Sequence, residues 1–184
     1  MEDSHYRRFV ILDRQPVLES DLLVLRPLTH DDFNAFYSIA SDPLVWEQHP
    51  SKDRTQLSVF RCWFDEALAS GGALVAVDKQ DGETIGTSRF AFPADAPDTV
   101  EIGWTFLARA RWGGTHNSEI KRLMLDHAFR SVETVVFTVH SLNFRSQRAV
   151  EGLGAVRMGV SADAHGRGEN VTFTLRREAA GNRR

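Results

Sequence analysis

The stretch from Val100 to Val139 restricts the possible folds of this chain more than any other part of it. Val100, Ile102, Trp104 and Phe106 alternate with Glu101, Gly103 and Thr105, a period of two that predicts a strand with one apolar and one mixed face. Glu101 looks away from the apolar face. From Ser118 to Phe129 the apolar residues Ile120, Leu123, Met124 and Ala128 recur at helical spacing, and Thr134 to Val139 is a β-branched run. The order is strand, helix, strand. The first two are joined by Arg109-Ala110-Arg111-Trp112-Gly113-Gly114-Thr115-His116-Asn117.

The flanks extend this pattern. Leu22 to Leu25 predicts a strand ended by Pro27, and Thr29 with Asp32 three residues later marks a helix start running towards Ala40. A second helix is predicted over Gln56 to Ala69, stopped by Gly71-Gly72. Ala73 to Val77 and Thr84 to Phe90 flank Asp81-Gly82, a turn pair that predicts a hairpin. Phe144 to Leu153 reads as a helix ending at Gly154, and Val171 to Leu175 as a last strand after the Gly-rich hairpin candidate His165 to Gly168. The sum is an α/β (α+β) chain, a mixed sheet flanked by helices. Phe92 to Pro97 has the composition of an exposed loop.

With 184 residues, 42% of them hydrophobic, the chain fits one domain of 1–184 with a core over about 22–176 and flexible tails at 1–15 and 178–184. A formal charge of -3 argues against nucleic acid as a partner. Cys62 is the only cysteine, so no intramolecular disulfide forms, and no Cys/His spacing suits a structural zinc; no metal is expected. Met1 to Val10 has no apolar leader core, and no apolar run approaches the roughly 20 residues that span a bilayer. These features predict a cytoplasmic protein with no membrane partner.

The turn at Arg109 to Asn117 joins a strand to a helix N-terminus. Glycines there let the backbone turn sharply, and the unpaired N–H groups and positive end of the helix favour an anion such as a pyrophosphate, with Arg109 or Arg111 adding charge. Equally, Gly113-Gly114 makes a tight connection with Asn117 or Ser118 as the helix cap. The turn is neither a Walker A loop nor a Rossmann fingerprint.

Glu101-Ile102-Gly103-Trp104, Arg111-Trp112-Gly113-Gly114 with Asn117, Glu119 and Lys121, Asn143-Phe144-Arg145-Ser146-Gln147-Arg148-Ala149 and Leu153-Gly154-Ala155 together resemble the GNAT superfamily of N-acetyltransferases. The resemblance is nearest the branch of ribosomal-protein N-terminal (alanine/serine) acetyltransferases, where Asn-x-x-Ser-x-x-Ala-x-x-x-x-Gly is typical. It implies a mostly antiparallel sheet of six to seven strands with four helices, splayed between the fourth strand (Val100–Phe106) and the fifth (Thr134–His140). Acetyl-CoA is then expected in that gap as cosubstrate. Phe106 and Leu107 would pair with the pantetheine arm, Arg111, Trp112, Gly113, Gly114, Thr115, His116 and Asn117 would cradle the pyrophosphate, and Asn143 would steady the far end. Two departures stand out. Thr115 and Asn117 occupy later small-residue positions of the phosphate motif, and Val150 replaces the tyrosine that many members use to protonate the departing thiol.

The chemistry implied is transfer of acetyl to a primary amine, on a protein N-terminus or a small molecule. Glu101 is the candidate base, through water, or else a salt-bridged or solvated carboxylate. Ser146 shares a helical stripe with Ala149, Val150 and Leu153, so its hydroxyl either reaches the sulfur or bonds back to the preceding turn. A strand N–H near Trp104 to Phe106 would meet the oxyanion. Asn143 is alternatively only the N-cap of its helix, and the two roles can coexist. Lys121 and Arg122, in the first turns after the phosphate loop, either help hold the nucleotide or are solvated helix charges. His116, His127 and His140 form no constellation, and Cys62 among Phe60, Trp63 and Phe64 reads as core. Trp46 and Glu47, within Asp42 to Pro50, are the candidate acceptor contacts, with carboxylates suited to a cationic amine; alternatively Trp46 is buried and its neighbours are solvated. A non-catalytic acyl-CoA sensor and a transferase for a longer acyl group are the rival readings, and a homodimer is possible.

Overall fold

The computed structural model describes residues 12–93, 96, 98–163 and 166–177. Its strands are β1 (Leu18–Glu19), β2 (Leu23–Pro27), β3 (Ala73–Asp78), β4 (Thr84–Ala91), β5 (Thr99–Leu107), β6 (Thr134–His140), β7 (Val156–Ala162) and β8 (Glu169–Arg176). Its α-helices are α1 (Phe33–Ala40), α2 (Leu57–Ala69), α3 (His116–Ala128) and α4 (Phe144–Gly152). The strands form one sheet in the order β1-β2-β3-β4-β5-β6-β8-β7. Every neighbouring pair is antiparallel except β5 and β6, which are parallel. The mixed, mostly antiparallel sheet with four helices is the predicted one, with eight strands instead of six to seven.

The two extra strands escaped the sequence for different reasons. β1 has two residues, too few for a period. β7 alternates Val156, Met158 and Val160 with Arg157, Gly159 and Ser161, a period of two that the sequence reading passed over, and it is exposed along its whole length. The helix predicted from Thr29 begins with a 3-10 turn over His30–Asp32 before α1 proper. There the Asp32 carboxylate accepts from the Thr29 N–H at 2.9 Å and from the Arg26 guanidinium at 2.7 and 2.9 Å.

Two apolar clusters sandwich the sheet. One packs Ile120, Leu123 and Met124 of α3 and Val150 of α4 against Val100, Ile102, Val135, Phe137 and Phe173. The other, on the opposite face, packs Phe36 of α1 and Phe60, Trp63 and Phe64 of α2 with Trp46 and Phe106. Val100 and Ile102 belong to the first cluster and Phe106 to the second, so the alternation of β5 reverses between them. The reversal is a bulge: Arg89 of β4 pairs with Gly103 and Thr87 with Phe106, leaving an extra residue on β5. Trp104 takes it up with a φ of 51° and is 39% exposed, so the buried position predicted by unbroken alternation is corrected.

Of the expected tails, residues 1–11 and 178–184 lie outside the described residues, as does His165 of the hairpin candidate. Leu12 is 4% exposed within the first cluster, and Arg14 donates to the Ser70 carbonyl at 3.2 Å. Among the described residues no helix is long and apolar enough to cross a membrane.

Candidate active site

β5 and β6 pair only at Thr99↔Thr134, Val100↔Val135 and Glu101↔Val136. Beyond Glu101, β5 follows β4 to Leu107 while β6 follows β8 to His140, and a cleft of about 920 Å³ fills the wedge between them. The splay lies between the two strands where the family resemblance implied it. Its cause is the strands' separate partners: each keeps its backbone hydrogen bonds on one edge and gives up those on the other.

The α3 side of the cleft holds the glycine turn and the N-terminus of the helix. Thr115 provides no side-chain cap, which leaves the first N–H groups of α3 for a ligand. Gly113 has a φ of 72°, a conformation that side chains resist, and a β-carbon there would meet nothing within 4 Å. Arg111 is held by carboxylates, with its guanidinium 3.2 Å from Asp78 and 2.5 Å from Asp81. His116 Nε2 also lies 3.1 Å from Asp78. The loop is thereby tied to the β3–β4 hairpin. Asp78 sits below the ordinary carboxylate range, first because the Gln80 N–H binds it and then because His116 and Arg111 do. Trp112 Nε1 donates to the Leu107 carbonyl at 3.0 Å, so the free edge of β5 that an extended ligand could pair with is Ile102 to Phe106.

At the other wall, the Asn143 side chain accepts from the Ser146 N–H at 3.1 Å, capping α4. Ser146 borders the cleft, and its hydroxyl has no hydrogen-bond partner among the described residues. Arg145 spans the cleft: its guanidinium lies 3.8 Å from the Trp112 ring centre and its N–H donates to Gln48 at 3.1 Å.

Glu101 stands at the fork, on the face opposite Val100 and Ile102. Its carboxylate accepts from the Thr138 hydroxyl and N–H across the gap, and burial pushes its pKa up against those two bonds. Lys121 corrects the sequence reading. It is 6% exposed, not solvated, and its Nζ donates to Thr105 at 2.7 Å and Ser88 at 3.1 Å. With no carboxylate beside it among the described residues, desolvation pushes its pKa down to about 7. The signal was available: Asn117, Lys121, Met124, Leu125 and Ala128 form one helical stripe.

On the α2 side, Trp46 is 2% exposed and spends its indole N–H on the Ala40 carbonyl at 2.7 Å, so it is a wall packed on Phe106. Glu47 is exposed and outside the main cleft, lining a smaller hollow with Lys52 and Leu142. Cys62, expected in the core, is instead exposed on α2.

The sheet opens into a cleft with a helix N-terminus on one side and a half-buried carboxylate at the fork. The family model of the acetyltransferase (GNAT) domain matches residues 23–156. A GCN5-related N-acetyltransferase from Brucella melitensis superposes with a TM-score of 0.78 at 18% identity, covering 90% of this chain and 80% of that one. A GNAT-family acetyltransferase from Bacillus anthracis gives 0.72 at 18%, covering 89% and 99%. Mycobacterium smegmatis RimJ in complex with CoA-disulfide gives 0.66 at 20%, covering 89% and 87%. The chain belongs to the GNAT family and is an acetyl-CoA-dependent acetyltransferase.

Proposed function

We propose that the protein transfers the acetyl group of acetyl-CoA directly to a primary amine, on a protein N-terminus or a small molecule, with Glu101 as the base. The observation that carries this reading is the Glu101 carboxylate, raised in pKa by burial and held at the fork by Thr138. A base needs a pKa near the working pH, and burial moves a carboxylate in that direction.

The pyrophosphate of acetyl-CoA lies against the N–H groups of Trp112 to Asn117, its arm pairs along Ile102 to Phe106, and Asn143 steadies the thioester end. The amine nitrogen attacks the thioester carbonyl, the carbon–sulfur bond breaks, and Glu101 takes the amine proton through water. A strand N–H between Trp104 and Phe106 meets the oxyanion. The Ser146 hydroxyl, which has no hydrogen-bond partner among the described residues, donates a hydrogen bond to the departing sulfur in place of the tyrosine that Val150 replaces, and the proton taken from the amine reaches the thiolate through water.

The test is thiol release from acetyl-CoA with a panel of amines, beside the thermal midpoint with and without acetyl-CoA. Amine-dependent thiol release that is lost in Glu101→Gln, with the midpoint shift kept, supports the reading. Saturable acetyl-CoA binding with no amine-dependent release, or an unchanged rate in Glu101→Gln, overturns it.

A further inference from the structure

The α2 side of the cleft carries donors, on Trp63 and Arg54, that reach no acceptor although the carboxylates of Asp53 and Glu66 border the same cleft. Among the described residues, the only buried side-chain polar atoms lacking a partner are Trp63 Nε1 and Arg89 Nε. Both are donors. Arg89 is directly opposite Gly103 in the β4–β5 register, so its side chain shares the face of Glu101, and its guanidinium lies 4.7 Å from the Trp104 ring centre.

Arg54 completes the arrangement. Its guanidinium rests 5.1 and 5.5 Å from the ring centres of Trp46 and Trp63, and no carboxylate among the described residues pairs with it. Its one polar neighbour is His49 Nε2, at 3.4 Å. That neighbour is not an acceptor. The Ser51 N–H donates to His49 Nδ1 at 3.0 Å, so the ring hydrogen sits on Nε2 and two donors face each other. His49 does not relieve this by ionising, because burial and the charges of Arg54 and Arg167 push its pKa down to about 3. Arg167, whose Nη1 donates to Ser51 at 2.5 Å, closes the same end of the cleft. Three carboxylates also line this end: Asp163 pairs with Arg167 at 3.6 Å, whereas Asp53 and Glu66 soften the field at Arg54 without forming an ion pair with it.

Donors facing donors in a desolvated pocket cost free energy until an acceptor enters, and an anion satisfies several at once. Resting on the acetyl-transfer reading above, we infer that the acceptor amine carries an anionic oxygen group, a carboxylate or a phosphate, seated between Arg54, His49 and Trp63, with Arg89 behind the cleft wall, while its nitrogen faces Glu101. This replaces the cationic acceptor that Trp46 and Glu47 suggested in the sequence. Polyamines and other polycations are disfavoured by the same arginines.

The experiment compares acceptors that differ only in the acid group: L-serine, O-phosphoethanolamine and ethanolamine, then L-phenylalanine and phenethylamine, with cadaverine and a neutral N-terminal peptide amide as controls. The acidic member of a set should exceed its neutral partner in kcat/KM by about ten- to hundredfold, the range of a charge-assisted hydrogen bond. Serine against O-phosphoethanolamine tells carboxylate from phosphate. Arg54→Gln should erase the preference by raising KM while the acetyl-CoA midpoint shift persists, and Arg54→Lys should restore part of it. Equal use of neutral amines, a preference for cadaverine or the peptide, or a preference that survives Arg54→Gln overturns the inference. If acetyl-CoA fails to bind or no amine is turned over, the acetyl-transfer reading fails separately. The pocket is then judged by whether serine or O-phosphoethanolamine raises the wild-type midpoint more than that of Arg54→Gln; no difference overturns it too.

Discussion

Glu101 and Lys121 are displaced from their ordinary pKa values by the same cause, burial without a fully compensating charge, and each displacement has a measurable consequence. For Glu101 the raised pKa means that the carboxylate form is reached only above the usual carboxylate range. The kcat/KM profile should therefore rise with pH through an elevated acidic limb. Glu101→Gln should remove that limb and lower kcat by about 10² to 10⁴, while leaving the thermal midpoint at or above wild type, because the neutral amide carries no ionisation cost. For Lys121 the shift is downward, from 10.5 to about 7. Between those two values the unfolded chain binds the proton that the folded one does not, so wild-type stability should rise with pH across that window. Lys121→Met should flatten the rise and be relatively more stable below pH 7, read from urea unfolding at several pH values. Both residues were legible as identities, Glu101 as a site and Lys121 only as a surface charge. Burial depends on what packs opposite, and Ser88 and Thr105 come from other strands.

At the scale of elements, the strand–turn–helix unit decides where ligands can go. Gly113→Val forces a side chain onto a left-handed backbone and into the open space beside the α3 N-terminus. The fold has no other use for that space, so the expected loss is in acetyl-CoA binding, measured by calorimetry, with a cost to stability of about 1–3 kcal/mol from the strained residue. The bulge in β5 is the second decisive device. It sends Phe106 into the aromatic cluster, with ring centres 5.3 Å from Trp46, 5.4 Å from Trp63 and 5.7 Å from Phe36. Phe106→Ala should destabilise the protein by about 3–5 kcal/mol in chemical denaturation, as expected for an aromatic core truncation. A period-two pattern cannot announce a bulge, because one inserted residue changes the face of everything after it without altering composition. β7 was legible in the alternation of Val156, Met158 and Val160 and was passed over, whereas its exposed edge position and its pairing with β8 are visible only in three dimensions.

For the whole molecule, the cleft is the gap left when β5 and β6 each pair on one side only, so a ligand that fills it joins the two halves of the sheet. Acetyl-CoA at a hundredfold excess over its Kd should stabilise the native state by about 2.7 kcal/mol, a rise of several degrees in the thermal midpoint, and the gain should vanish in Gly113→Val. What the sequence determined by itself was the part written in local periodicity and in contiguous motifs. The strand–helix–strand unit, the four helices, the glycine turn at a helix start and the asparagine that caps α4 all follow from neighbouring residues along one segment. The tertiary structure alone decided the chemistry of the far wall. His49, Arg54, Arg89 and Arg167 come from a loop, a 3-10 turn, a strand and a hairpin. Hydrogen-bond satisfaction is a property of the assembled pocket, and no spacing in the chain records which of their donors find an acceptor.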